Sequence, residues 1–345
     1  MLYAIFPECK LTYHGGEAMK LPRIDTHDHF RDGKEAYKET IEHGLRVAAS
    51  QGVGAVIDMP NTSPPILCEN DVQRRLELVP ETSPVKYYLL MGIVPDSDQI
   101  KHAIEYYRKY PQIVGFKMYV CQMGKLTVTD VPSQLYVYSE LVKQGYDGPL
   151  VVHCECEDRC KPDKWDPTNP YSHCIARPRE AEIEAVKNQI SNAKRTGFAG
   201  HLHIAHVSCP ESVELIHESQ TDRDEYLRIS CEITPHHLMF DSEYLARPDG
   251  LLYKTNPPLR NMHYVFQLHE LVRQGKVNCF GTDHAPHTLG EKLYGDKNRN
   301  YPSGFPSLYL YGQLIEEFLP AIRVSKDIIH AMACENPRRI FPKIK

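Results

Sequence analysis

Short runs of apolar and β-branched residues recur along the chain. Most are followed by a stretch whose apolar positions return every three or four residues. Residues 23–29, 53–59, 86–93, 114–120, 150–154, 201–206, 228–233 and 277–282 read as eight strands. Residues 34–50, 97–110, 133–144, 179–196, 210–219 and 262–274 read as helices. A shorter helix is expected over 72–78, with Asn70 and Asp71 offering its cap. Pro178 and Pro210 suit first helical turns. Residues 325–345 read as a last helix ending near Asn336 and Pro337. Strand and helix alternating eight times predicts an α/β fold, a (β/α)8 TIM-like barrel. An open doubly wound sheet fits less well, because ligand-capable residues follow strands along the whole length and not at one switch point. The long intervals 155–177 and 234–260 are the places to expect functional loops.

Composition narrows this without changing it. The 345 residues are 41% hydrophobic and 25% charged, as in a globular protein, and no linker divides them, so a single catalytic domain over 1–345 is expected. A net charge of −5 gives no electrostatic footprint for nucleic acid or an anionic membrane. Apolar runs are too short to span a bilayer, and the first twenty residues do not read as a signal peptide. Eleven cysteines is an odd number, and Cys231 and Cys279 sit inside strand-like runs; a reducing cytoplasm is the expected location. The eighteen histidines are grouped, which points to metal or acid–base chemistry.

The first strand runs into Ile24-Asp25-Thr26-His27-Asp28-His29-Phe30-Arg31. Residues two apart on a strand face one side, so His27 and His29 project together and suit one metal ion. A bare HxH pair is weak evidence, more often two solvated or packed histidines than a site; its place at the C-terminal end of a first barrel strand raises its weight. Lys117 lies in the apolar run Gly115-Phe116-Lys117-Met118-Tyr119. An ammonium group has no lone pair for a metal, so this lysine either snorkels outward or is chemically altered; taken singly, snorkelling is the simpler account. His153, His206 and Asp283 end the fifth, sixth and eighth strands. Each singly could be a satisfied core residue. Five such residues at strand ends together imply a bound Zn2+-like cation, and their number suggests two metals with open positions for water.

Beyond these residues, Met59-Pro60-Asn61-Thr62, Val152-His153-Cys154-Glu155, Arg177-Pro178, His206-Val207-Ser208, Glu232-Ile233-Thr234-Pro235-His236-His237-Leu238, Asn256-Pro257-Pro258-Leu259-Arg260 and Gly281-Thr282-Asp283-His284-Ala285-Pro286-His287 follow in order. From about residue 23 to 342 the chain resembles the dihydroorotases of the amidohydrolase superfamily. The resemblance implies a metal-dependent hydrolase barrel with two Zn2+. His27, His29 and Asp283 would hold the more buried ion, and His153 and His206 the more exposed one. Lys117 would be carbamylated by CO2 and bridge both ions, with hydroxide as the second bridge. The β-sandwich that longer dihydroorotases build from both termini is expected to be absent or vestigial, because 26 residues precede His27 and the chain stops soon after Phe341.

The implied reaction is the reversible cyclisation of N-carbamoyl-L-aspartate to L-dihydroorotate in pyrimidine biosynthesis. The bridging hydroxide would be the nucleophile and Asp283 the general acid and base. Arg31 would clamp the substrate carboxylate bidentately, Asn61 and His287 would donate to it, and Asn256 resembles a ring-contacting position. Expected partners are the small-molecule substrate, a second copy in a homodimer, and aspartate transcarbamoylase. Two other readings share parts of this pattern. A hydantoinase- or allantoinase-like cyclic amidohydrolase would share the metal core but need no carboxylate clamp. An inactive scaffold would be expected to have lost metal ligands. Weaker signals are His236-His237, which read as orienting a loop, and Trp165 in the loop 156–173, which covers the site or decorates the rim. Cys154, Cys156, Cys160 and Cys174 fit no standard zinc-knuckle spacing.

Overall fold

In a computed structural model, residues 21–221, 227–296 and 300–345 are described. The strands are β1 (Arg23–Asp28), β2 (Val53–Asp58), β3 (Lys86–Gly92), β4 (Ile113–Tyr119), β5 (Pro149–His153), β6 (His201–Ile204), β7 (Arg228–Ile233) and β8 (Cys279–Phe280). They lie side by side in chain order as one parallel eight-stranded sheet. The helices are α1 (Ile41–Ser50), α2 (Glu69–Glu77), α3 (Ser97–Lys109), α4 (Val131–Lys143), α5 (Ser172–Ala176), α6 (Arg179–Thr196), α7 (Pro210–Thr221), α8 (Pro235–Met239), α9 (Met262–Arg273) and α10 (Leu289–Tyr294), followed by two helical stretches with π-turns over 311–321 and 326–340. Together they make the (β/α)8 barrel that the alternating pattern predicts. No described helix is long and apolar enough to cross a membrane.

Two apolar layers hold it. One lies between strands and helices and joins residues such as Leu45, Val56, Leu89, Phe116, Leu150, Ile204 and Ile233. The other fills the barrel interior with Ile24, Ile57, Leu90, Val114 and Val151, and is closed from below by Ile340, Phe341 and Ile344. Because both faces of each strand are covered, the strands read as continuous apolar runs. Tyr107 packs on Phe116 and Tyr146, so the tyrosine-rich face of α3 lies against the barrel wall.

The ring closes unevenly. β8 has two residues and pairs with β7, but it meets β1 through single contacts. His29 N–H donates to the His284 carbonyl at 2.8 Å, and Asp25 Oδ1 accepts from the Thr282 amide at 2.8 Å. The strand predicted over 277–282 is shortened because the chain turns at Asp283, whose φ is +52°.

Other boundaries also differ from expectation. The helix predicted from residue 34 starts at Ile41, since Asp32 caps a separate turn at Gly33–Glu35 and also takes the Ile41 amide at 3.0 Å. Asp71 is the third residue of α2 and accepts from the Leu67 and Cys68 amides, so the cap falls at Cys68. The final helix runs to Ile340, because a π-turn at Ala331–Glu335 accommodates Pro337 in a last helical turn. Every strand among the described residues belongs to the barrel sheet, and the first twenty residues, where any remnant of a sandwich would begin, lie outside those described.

Candidate metal centre and its rim

The C-terminal mouth of the barrel gathers the residues that the sequence singled out. His27 is inside β1 and His29 just beyond it; their ring centroids are 5.1 Å apart. Asp283 Oδ1 stands 2.8 Å from His29 Nε2 and 3.5 Å from His27 Nε2. Burial opposes ionisation of Asp283, but the His29 hydrogen bond and His27 hold its carboxyl well below the usual carboxylate range. Opposite, His153 Nδ1 and His206 Nε2 face each other at 2.9 Å. The His206 ring lies 5.1 Å from that of His27, which links the two groups. His206 has φ +36°, so both it and Asp283 sit in backbone conformations that side chains other than glycine disfavour.

Lys117 is fully buried in β4 and does not snorkel. Its Nζ has no hydrogen-bond partner and lies 5.3 Å from the Tyr119 ring centroid. Burial pushes its amine down to about 8, against the pull of Glu232 and Asp283.

The donor set fits a divalent cation. Atoms of His27, His29 and Asp283 lie within 4.8 Å of one another. His27 Nδ1 is engaged by Glu232, which leaves Nε2 buried and unpartnered. The separations of the facing nitrogens and oxygens approach the ~3.3 Å between two ligands on one tetrahedral zinc with bonds of about 2.0 Å. Desolvated imidazoles beside a carboxylate form a site that a cation completes. A second group, His203, Glu232 and Cys279, lies directly beneath.

The rim carries the other candidates. Arg31 is buried, its Nε donates to the Pro286 carbonyl at 3.2 Å, and its Nη2 is 3.4 Å from His287 Nε2. Asn61 Oδ1 is 2.7 Å from His29 Nδ1, so its carbonyl orients a ring of the centre while its amide nitrogen turns towards Met123. Asn256 is further round the mouth. Its Oδ1 lies 2.9 Å from His173 Nε2 and accepts from Ser303 Oγ at 3.0 Å. The Trp165 ring packs edge-on against His173 at 5.4 Å and lies 5.0 Å from Lys254 Nζ, so Trp165 and His173 together carry the β5 loop across to the β7 loop. His237 faces the Pro257 carbonyl at 3.1 Å and braces the same loop.

Several residues of the site had no role assigned from the sequence, although Glu155, Arg177 and Glu232 stand in the motifs above. Glu155 is buried, holds His153 Nε2 at 2.9 Å and pairs with Arg177 at 2.7 Å. Arg75 of α2 donates to the Phe30 and Arg31 carbonyls at 2.6 and 2.7 Å and pairs with Asp58 at 2.6 Å. Glu232 engages His27. A carboxylate within the apolar run of β7 was the available signal for Glu232; Arg75 offered none, because α2 is a mainly polar helix.

No protein-family model matches the chain. It is 32% identical over 325 residues to a dihydroorotase of Methanothermobacter thermautotrophicus, covering 92% of this chain and 68% of that one. It is 31% identical over 326 residues to a dihydroorotase of Methanosphaera stadtmanae, covering 92% and 70%. Among solved structures, an L-hydantoinase (dihydropyrimidinase) from Arthrobacter aurescens superposes with a TM-score of 0.81 at 23% identity, over 93% of this chain and 71% of that one. The chain thus spans about two-thirds of the length of these proteins.

Proposed function

The chain belongs to the dihydroorotase family, a group of cyclic amide hydrolases, and from that membership we propose that it interconverts N-carbamoyl-L-aspartate and L-dihydroorotate. One observation carries the proposal: His27, His29 and Asp283 converge beside His153, His206 and Lys117, with the Arg31 guanidinium at the edge of the same mouth. Neutral cyclic amides give no use for that guanidinium, whereas a ring carboxylate does.

The metal centre we propose comprises two Zn2+, held by His27, His29 and Asp283 on one side and His153 and His206 on the other. Lys117, as a carbamate, would supply a further oxygen ligand to the centre. Its burial supports this, because the unprotonated amine is the form that adds CO2. When bound, such ions make hydroxide available near neutral pH and polarise the amide carbonyl.

Arg31 binds the substrate carboxylate, and its bond to Pro286 and contact with His287 fix the fork before substrate arrives. Asn61 and His287 add hydrogen bonds, and Asn256 contacts the ring. Asp283, ionised beside His29, accepts a proton as the oxygen–carbon bond forms. It delivers that proton to the ring nitrogen as the carbon–nitrogen bond breaks. In the cyclising direction it removes the proton from the ureido nitrogen and passes it to the departing water.

Residues 1–345 act in this proposal as one catalytic domain. The ten described cysteines are free, which supports a reducing cytoplasm. A homodimer and association with aspartate transcarbamoylase belong to the same proposal. The test is turnover of dihydroorotate by zinc-loaded protein, set against hydantoin and allantoin. Dihydroorotate should be cleaved fastest; faster cleavage of either neutral ring would move the chain to the hydantoinase- or allantoinase-like reading.

A further inference from the structure

We propose that Glu232 is the positioning residue that sets the two halves of the metal centre in register, and that residue 281 is glycine to make room for it. The inference rests on the metal-centre proposal above and concerns what holds that centre.

Glu232 lies in β7 with no exposed surface. Its Oε1 engages the ring of His27 through Nδ1 and accepts from the main-chain N–H of His206 at 3.3 Å. Its Oε2 accepts from Thr26 Oγ1 at 2.6 Å and stands 3.2 Å from His203 Nε2. Ser230 Oγ, 2.7 Å from His203 Nδ1, holds the other edge of that ring, and the Nε2–H is the donor that the carboxylate calls for. Four donors therefore meet the four lone-pair sites of one buried carboxylate. An ionised carboxylate with fewer partners could not stay there cheaply.

The two Oε1 contacts matter most. One fixes the tautomer of His27, so that Nε2 presents its lone pair towards Asp283. A carboxylate on the far nitrogen also makes an imidazole a stronger ligand. The other secures the main chain of His206 at the point where φ is +36°. His27 belongs to the group with Asp283, and His206 to the group with His153. One side chain from a third strand thus ties a ring in one group to the backbone of the other.

Gly281 supports the assignment independently. A Cβ there would lie 2.7 Å from Glu232 Oε2 and 2.8 Å from His27 Cβ, so any side chain would push the pair apart. The nearby Cys279 Sγ is 3.9 Å from His203 Nε2 and 3.8 Å from Thr26 Oγ1, and both carboxylate oxygens are already engaged. The trio His203, Glu232 and Cys279 is accordingly the cradle of the carboxylate and not a third ion site.

The experiment titrates Zn2+ into metal-stripped full-length protein against a chromophoric chelator, for wild type and Glu232→Gln, with Tm, kcat and KM for dihydroorotate measured alongside. The amide would set a donor against a donor. Zinc affinity should fall about 10–100-fold, the usual cost of losing such a partner. At limiting zinc kcat should fall with it while KM stays put, and Glu232→Asp, which keeps the charge but draws back from His27, should lie between. Unchanged zinc affinity in folded Glu232→Gln overturns the inference. Should that variant fail to fold, Thr26→Val removes a single donor; a measurable loss of zinc affinity supports the inference and wild-type affinity overturns it. Wild-type protein that takes up no zinc overturns the metal-centre proposal as well, so the two failures are distinguishable.

Discussion

His27 and Arg31 are four residues apart, yet different kinds of structure hold them. His27 is inside a strand, and its ring is engaged by a side chain of another strand. Arg31 lies beyond the strand end. Its side chain is held by the Pro286 carbonyl, and its own carbonyl is gripped by Arg75, which Asp58 anchors. The floor of the site is therefore set by the strands and the residues at their C-terminal ends, and the rim by loops and one outer helix. Reacting groups need placement that a sheet provides, whereas recognition tolerates the adjustability of loops. Changes to the floor should act on kcat, and changes to the rim on KM.

The sharpest break is Asp283→Asn. It keeps the shape but cannot accept a proton, so kcat should fall by about 10^2–10^4-fold with the fold retained by circular dichroism. Wild-type kcat in that variant would erase the distinction between floor and rim. Arg31→Lys tests the other side. Losing the fork should raise KM for dihydroorotate about 10–100-fold, matching ~1.5–3 kcal/mol for charged hydrogen bonds, with kcat little altered. A kcat loss without a KM change would place Arg31 with the floor.

The barrel that carries both regions should also be acid-labile. Burial holds His237 down to about 4 and His201 down to about 3, against 6.5 in an unfolded chain. Between these values the unfolded state binds the extra proton, so their contribution is present above pH 6.5 and drains away as pH falls through about 4. Each contributes ~1.4 kcal/mol per pH unit in that window. Tm should fall steadily from pH 6.5 to 4.5, and less steeply in His237→Asn; parallel curves would contradict this. The smallest effect is expected at Asn256→Ala, where losing one neutral hydrogen bond, ~1 kcal/mol, should raise KM less than tenfold.

The same division governs what could be read from the sequence. The strand ends carrying His27, His153 and His206 were legible because strands covered on both faces announce themselves as apolar runs, and a polar residue closing such a run is conspicuous. Lys117 was conspicuous too, but its burial was not, since an isolated lysine in a strand more often reaches solvent. The start of α1 was misplaced because Asp32 and Gly33 impose a local turn that the apolar period does not record. Arg75 offered no signal because it acts on chain 44 residues away, through the Arg31 carbonyl; Glu155 stands in one of the motifs but was given no role, because its hold on the His153 ring and on Arg177, 22 residues on, is set by the fold.

Asp283 and His206 depart from the regular backbone by their positive φ. Such conformations cost roughly 1–3 kcal/mol each in residues with a side chain. Thermal endurance and turnover therefore pull these two positions in opposite directions. In a lineage released from selection for activity, glycine or asparagine should accumulate at both, giving a sturdier barrel without its chemistry.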